Sequence, residues 1–273
     1  MVKMGNVWDR TVEVLNGRTG MIATLALLGM FVPSVVRDAY VASGTPGTIS
    51  FALVGSVLSL VVLLATIWAQ LAIIAVATHP ATTRDEAGRQ ARARLAPAFG
   101  LTLLIGLAAF AAMLPPLVAL AWSGFDFAAA ARGATMATNP PSVGTAIFVI
   151  VYVLAFTLVV IWAAARLIVL NPVILNERLG VGSIARSIAL TRGLTWRIIG
   201  VVILFAVVLV VATGAAQAVT GVIFRLVLGA SGKGLAAFLG GVAGTLVTTA
   251  FTALAAVFTA QLYVATAEAP APV

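Results

Sequence analysis

Polar positions along this chain fall in blocks. Long apolar runs, centred on residues 21–36, 48–78, 99–122, 145–170, 198–219 and 235–264, are separated by short polar or glycine- and proline-punctuated segments. About 20 mostly apolar residues cross the ~30 Å hydrocarbon core of a bilayer as a helix. The runs therefore predict six transmembrane helices, and the ~10-residue alternation of a membrane β-barrel is absent. Run 48–78 would be ~46 Å long as a straight helix, so it must tilt or protrude.

Before the first run, residues 6–16 carry a helical period. Val7, Trp8, Thr11, Val12, Val14 and Leu15 share one arc, and Asp9, Arg10, Glu13 and Asn16 share the other. This predicts an amphipathic helix lying in the interface, with Asn6 as N-cap and Gly17 as its C-terminal stop. Arg37-Asp38 is expected to close the first span, leaving every acid outside the apolar spans, without a carboxylate for a proton relay.

His79-Pro80 ends the second run, and Thr83-Arg84-Asp85-Glu86 reads as a capping box opening a polar connector helix. On that helix Asp85, Arg89 and Arg92 share a face opposite Ala87, Ala91 and Leu95. Pro115-Pro116 is expected to break or bend the third span. A second basic connector covers residues 176–197. The expected organisation is an interfacial helix at 1–19, a single six-helix transmembrane domain at 20–265 and a short tail at 266–273. The fold class is an all-α polytopic membrane helical bundle with an N-terminal interfacial amphipathic helix.

Composition agrees: 62% of the 273 residues are hydrophobic and 9% charged, far from the roughly 25% charged residues of soluble domains. The net charge of +8 changes the picture only through its placement. Twelve Lys and Arg side chains fall on the side of the amino terminus and the two polar connectors. Four, Arg37, Arg132, Arg225 and Lys233, fall on the other. By the positive-inside rule both termini are expected in the cytoplasm, and the excess is not a nucleic-acid patch. Fourteen Arg against two Lys in an alanine-rich chain fits a bacterial, high-GC origin, hence the inner membrane. No removable signal peptide is expected.

Chemistry is sparse. There is no cysteine and one histidine, His79, so neither a thiol nucleophile nor a histidine-rich metal cluster can be assembled. Neither catalysis nor a cofactor is expected. Arg166, near the inner end of the fourth span, is expected to snorkel to the interface and touch lipid. With Arg89, Arg92, Arg186 and Arg192 it forms the set of candidate anionic-lipid contacts. Gln70, Gln217 and Gln261 are expected to hydrogen-bond between helices. On the sixth span Gly241, Thr245, Thr248, Thr249, Thr252, Ala256 and Thr259 form a small, hydroxyl-bearing stripe. It either packs against other helices, aided by Gly240-x-x-x-Gly244, or lines a polar path. A 94-residue echo, Trp68, Gly88, Ala91 and Arg92 against Trp162, Gly182, Ala185 and Arg186, hints at an internal repeat.

One stretch has a further layout: Arg166, Pro172, Glu177, Gly180, Ser187, Leu190, Gly193 and Trp196 between residues 162 and 200. With the opening GNVWDRTVEVL, it resembles the membrane domain attached to some bacterial glycerophosphoryl diester phosphodiesterases and the related YciC-like membrane proteins. In that family catalysis resides in a separate soluble domain with metal-binding His and Glu residues, so the resemblance implies a membrane part without its own activity. The expected function is a non-catalytic inner-membrane protein that binds lipid or organises a protein partner or a second copy of itself. The alternative is a small-solute transporter or channel using the sixth-span stripe.

Overall fold

The computed structural model describes residues 3–45, 47–79, 81–127 and 141–268. Among them every regular element is helical. In chain order these are α1 (Met4–Ala26), a π-helical turn (Leu27–Phe31), α2 (Val32–Ser43), α3 (Ile49–Thr78), α4 (Arg84–Ala112), α5 (Leu114–Trp122), α6 (Val143–Leu167), α7 (Leu170–Asn176), α8 (Gly182–Leu190), α9 (Thr195–Leu228), a 3-10 turn (Ala230–Gly232) and α10 (Lys233–Ala267). Six helical segments are long and apolar enough to cross a membrane: Met4–Ser43, Ile49–Thr78, Arg84–Trp122, Val143–Asn176, Thr195–Leu228 and Lys233–Ala267. This is the architecture of a multi-pass membrane protein. The chain divides into two compact bodies, residues 1–99 with 166–273, and residues 100–165.

The amino-terminal segment departs from expectation. Its helix begins at Met4, with Lys3 rather than Asn6 at the N-cap. It is interrupted at Arg18 (φ −135°, ψ 21°), one residue past the expected stop at Gly17, and a second helical stretch then enters the first apolar run. Within the predicted apolar arc Val7 and Thr11 are buried, while Trp8 and Val12 remain exposed; α1 packs on α10 and α3. The arc is therefore used in part for packing within the protein.

The core of the first body lies around the C-terminal half of α3, where Ile67, Ala69 and every residue from Leu71 to Ala77 are buried. Around it α1, the π-turn, α7 and α10 contribute Leu25, Met30, Val173, Val257 and Leu262. The π-turn brings Gly29 so close to α3 that a Cβ there would stand 2.6 Å from the Ala69 Cβ. The end of α3 needs carbonyl partners because Pro80 has no N–H to offer Val76. Arg18 supplies one, its Nη1 donating to the carbonyls of Val76 (2.9 Å) and His79 (3.4 Å). Gln261 supplies the next, with Nε2 donating to the buried Ala77 carbonyl at 2.7 Å. Gln70 accepts from Asn171 Nδ2 at 3.2 Å, tying α3 to α7.

The capping box forms as predicted: Thr83 N–H donates to Glu86 Oε2 (3.1 Å) and Glu86 N–H donates to Thr83 Oγ1 (3.4 Å). The connector and third span are, however, one continuous helix, α4, with Pro97 inside it. At Pro115-Pro116 the chain does break, between α4 and α5. Pro116 cannot donate to the Ala112 carbonyl, and within the second body the Tyr152 hydroxyl donates to it instead, at 2.5 Å. The 94-residue echo does not extend to packing, since Ala91 is buried and its counterpart Ala185 is exposed.

Candidate functional site

The amino-terminal part of α4 sorts its side chains by angle. At 100° per residue Ala87, Ala91 and Ala98 make one stripe, and all three are buried. Arg84, Asp85, Gly88, Arg89 and Arg92 fall on one flank of that stripe and, with Leu25 and Trp68, line a groove of about 500 Å³. The Trp68 indole N–H donates to the Gly88 carbonyl at 3.3 Å, which fixes the ring as the groove's apolar wall. Three guanidinium groups face one carboxylate, so the groove carries an excess of two positive charges beside an aromatic and an aliphatic surface. That combination fits a phosphate-bearing headgroup whose acyl chains stay in the apolar phase.

Arg89 and Arg92 are thus brought together, and Arg84, Trp68 and Leu25 join them unannounced. Arg84 was legible on the helical wheel; Trp68 and Leu25 reach the groove only through tertiary packing. The other candidate lipid contacts go elsewhere. Arg186 donates to both oxygens of Glu177, 2.8 Å from Oε2 and 3.2 Å from Oε1, and Glu177 also accepts from the Tyr263 hydroxyl at 3.1 Å. This cluster clamps the second connector to α10. Arg166 Nη1 donates to the Ile188 carbonyl at 3.3 Å, while its own carbonyl accepts from Ser187 (2.9 Å) and Thr191 (3.2 Å). Arg166 therefore anchors α8. Arg192 is exposed in the turn after α8.

The motif between residues 162 and 200 has structural duties. Gly180 (φ 57°) and Gly193 (φ 82°) occupy left-handed backbone, Pro172 is buried in α7, and Trp196 is 84% exposed. No family model, curated protein or solved structure matches this chain. The functional reading therefore rests on the residues themselves.

The sixth-span stripe divides. Thr245, Thr248, Thr249 and Thr252 line a cavity of about 280 Å³ in the first body, facing Ser34, Arg37, Asp38, Thr66 and Gln217. Gly241 faces open space, and Thr259 lies outside the cavity. Most of these hydroxyls donate to their own helix: Thr249 to Thr245 O and Thr252 to Thr248 O, both 2.8 Å, and Thr259 to Ala256 O at 3.0 Å. Thr248 also reaches Thr213 across the helix pair, at 3.5 Å.

The tight helix contact belongs to Gly240 and Gly244. At Gly240 a Cβ would meet the Gln217 backbone oxygen at 2.9 Å, so the backbones of α9 and α10 approach there because this residue is a glycine, whereas at Gly244 a Cβ would meet the Gln217 side chain. Arg37 and Asp38, expected to close the first span, do not end the helix, and α2 continues to Ser43. Gly29 packs beside Ala69 and Gly44 beside Phe51. That register sets Asp38 roughly level with residues 57–60 of α3, on the order of 14 Å along the helix from its start. Asp38 thus lies on the helical segment Met4–Ser43, which is long and apolar enough to cross a membrane. Arg132 lies outside the described residues, as do 269–273 of the expected tail.

Proposed function

We propose that this is a non-catalytic protein of the bacterial inner membrane, with both termini cytoplasmic, that binds anionic phospholipid headgroups at its inner surface. The observation that carries the reading is the groove in which Arg84, Arg89 and Arg92 converge beside Trp68 and Leu25. A cytoplasmic leaflet attracts such side chains by about 1 kcal/mol each. Lipid held there would bridge α4 to α1 at Leu25 and to α3 at Trp68. The resemblance to phosphodiesterase-associated membrane domains agrees with a membrane part that acts through its surroundings, whether lipid, a partner protein or a second copy.

The test is thermal stability in a neutral detergent with added phosphatidylglycerol or phosphatidylcholine. Wild type should gain from the anionic lipid only, and Arg89→Gln with Arg92→Gln should lose most of that gain. Equal gains in wild type and the double variant would reject the groove. A second reading, passage of a small polar solute, draws on the cavity beside Thr245, Thr248, Thr249 and Thr252. It requires that cavity to admit water from the far side, and labelling of Thr248→Cys by an impermeant thiol reagent distinguishes the two.

A further inference from the structure

The opposite flank of α4 faces a second pocket, about 300 Å³ in volume, that three separate parts of the chain build together. His79 comes from the end of α3, Gln90 and Arg94 from α4, and Asn176 and Arg178 from the end of α7. None of its lining residues is acidic. Nearby acids are committed elsewhere: Glu177 to Arg186 and Tyr263, and Glu86 to the Thr83 cap. Among the described residues the ion pairs are Arg37 with Asp38 and Arg186 with Glu177, so neither Arg94 nor Arg178 has a carboxylate partner. Arg94 is nonetheless half-buried, a placement that costs free energy unless a counter-charge is supplied.

Arg178 adds an independent sign. Its φ of 58° is the one left-handed backbone angle at a non-glycine residue among those described. The chain has a glycine two positions on, Gly180, and uses it in the same conformation. An arginine at 178 therefore bears backbone strain that a glycine would not, and such strain collects where a side chain is needed for function. Asn176 is held in place by its own bond, Nδ2 donating to Pro172 O at 2.9 Å.

We propose that His79, Gln90, Arg94 and Arg178 form a binding site for a phosphate group, separate from the lipid groove and independent of that reading. Two guanidinium forks, an imidazole and an amide match the several oxygens of a phosphomonoester. The volume leaves room for a small esterified head beyond the phosphate itself, so the group comes either from a soluble phosphomonoester or from a lipid headgroup.

The experiment measures binding to the full chain in neutral detergent by calorimetry and thermal shift. The probes are glycerol phosphate, with chloride at matched ionic strength as control, and phosphatidylglycerol in mixed micelles. Wild type should bind glycerol phosphate or the lipid, and Arg94→Gln should weaken that binding at least about tenfold. Arg178→Gly should weaken it similarly while keeping or raising the thermal midpoint in the absence of ligand, which separates lost binding from lost folding. Both probes are also read in the Arg89→Gln, Arg92→Gln background, which removes the groove's own contribution and leaves the pocket's binding. Binding of glycerol phosphate assigns the soluble source. Binding of the lipid alone in the Arg89→Gln, Arg92→Gln background, lost when Arg94→Gln or Arg178→Gly is added, assigns the headgroup. No binding of either probe, or binding that both variants retain at wild-type strength, overturns the proposal.

Discussion

The two halves of α3 behave as different materials. From Ile67 to Ala77 the helix is enclosed, its last carbonyls taken up by Arg18 and Gln261 and its neighbours fitted to within a methyl group at Gly29. From Ile49 to Leu63 the same helix shows Leu53, Val57 and Leu60 on its surface, and the polar cavity meets the helix between the two halves, at Thr66. Both halves are comparably hydrophobic in sequence. What separates them is polar chemistry: the enclosed half is ringed by side chains that satisfy specific buried backbone groups, whereas the exposed half is held mainly at its start, where Tyr40 stacks on Phe51.

The contrast breaks most sharply by truncation. Leu71→Ala should cost about 2–5 kcal/mol of stability, because Leu71 is completely buried. Leu53→Ala, on a side chain 63% exposed in the other half, should change the thermal midpoint little. Equal losses would show that the open half is packed too.

Next in size comes Gly29→Ala, expected to cost about 1–3 kcal/mol through overpacking against Ala69. Gly241→Ala, where a Cβ meets open space, is the matched control and should be neutral or slightly stabilising. Gln261→Leu is expected to cost about 1–3 kcal/mol, since it strands the buried Ala77 carbonyl. Hydrogen exchange of the last turn of α3 should speed up in that variant, and unchanged exchange would remove the carbonyl-satisfaction account.

The smallest effect belongs to the cavity. Thr248→Leu should shift stability by less than about 1 kcal/mol, because Thr248 is exposed and its bond to Thr213 is long. A loss as large as that of Gly29→Ala would mean the stripe is a packed interface after all.

Much of this was legible in the residues. The capping box at Thr83 and Glu86 and the helix break just before Pro115-Pro116 follow from local chemistry, which sequence encodes directly. The use of Val7 and Thr11 for packing within the first body was not, because only the tertiary fold decides which side of an amphipathic helix meets protein. The same holds for Arg37 and Asp38, where charge signalled a span end but the helix ran on beside polar side chains from other segments.

At the candidate site Arg89 and Arg92 could be paired from helical spacing. Arg186 could not be known to prefer Glu177, nor Arg166 the Ile188 carbonyl, because those partners lie 9 and 22 residues away across a turn whose geometry depends on Gly180 and Arg178. Residues such as Trp68, Arg94 and Arg178 acquire their places only when distant segments meet.

The central claim is that the groove of Arg84, Arg89 and Arg92 holds anionic lipid, and lipid retention tests it most directly. Protein purified from membranes into neutral detergent and examined by native mass spectrometry should carry phosphatidylglycerol or cardiolipin in preference to neutral lipid. Arg89→Gln with Arg92→Gln should lose those adducts, while Arg225→Gln, at the opposite end of the chain's charge pattern, should keep them. Retention of anionic lipid by the double variant at the wild-type level, or no anionic preference in the wild type, would contradict the account.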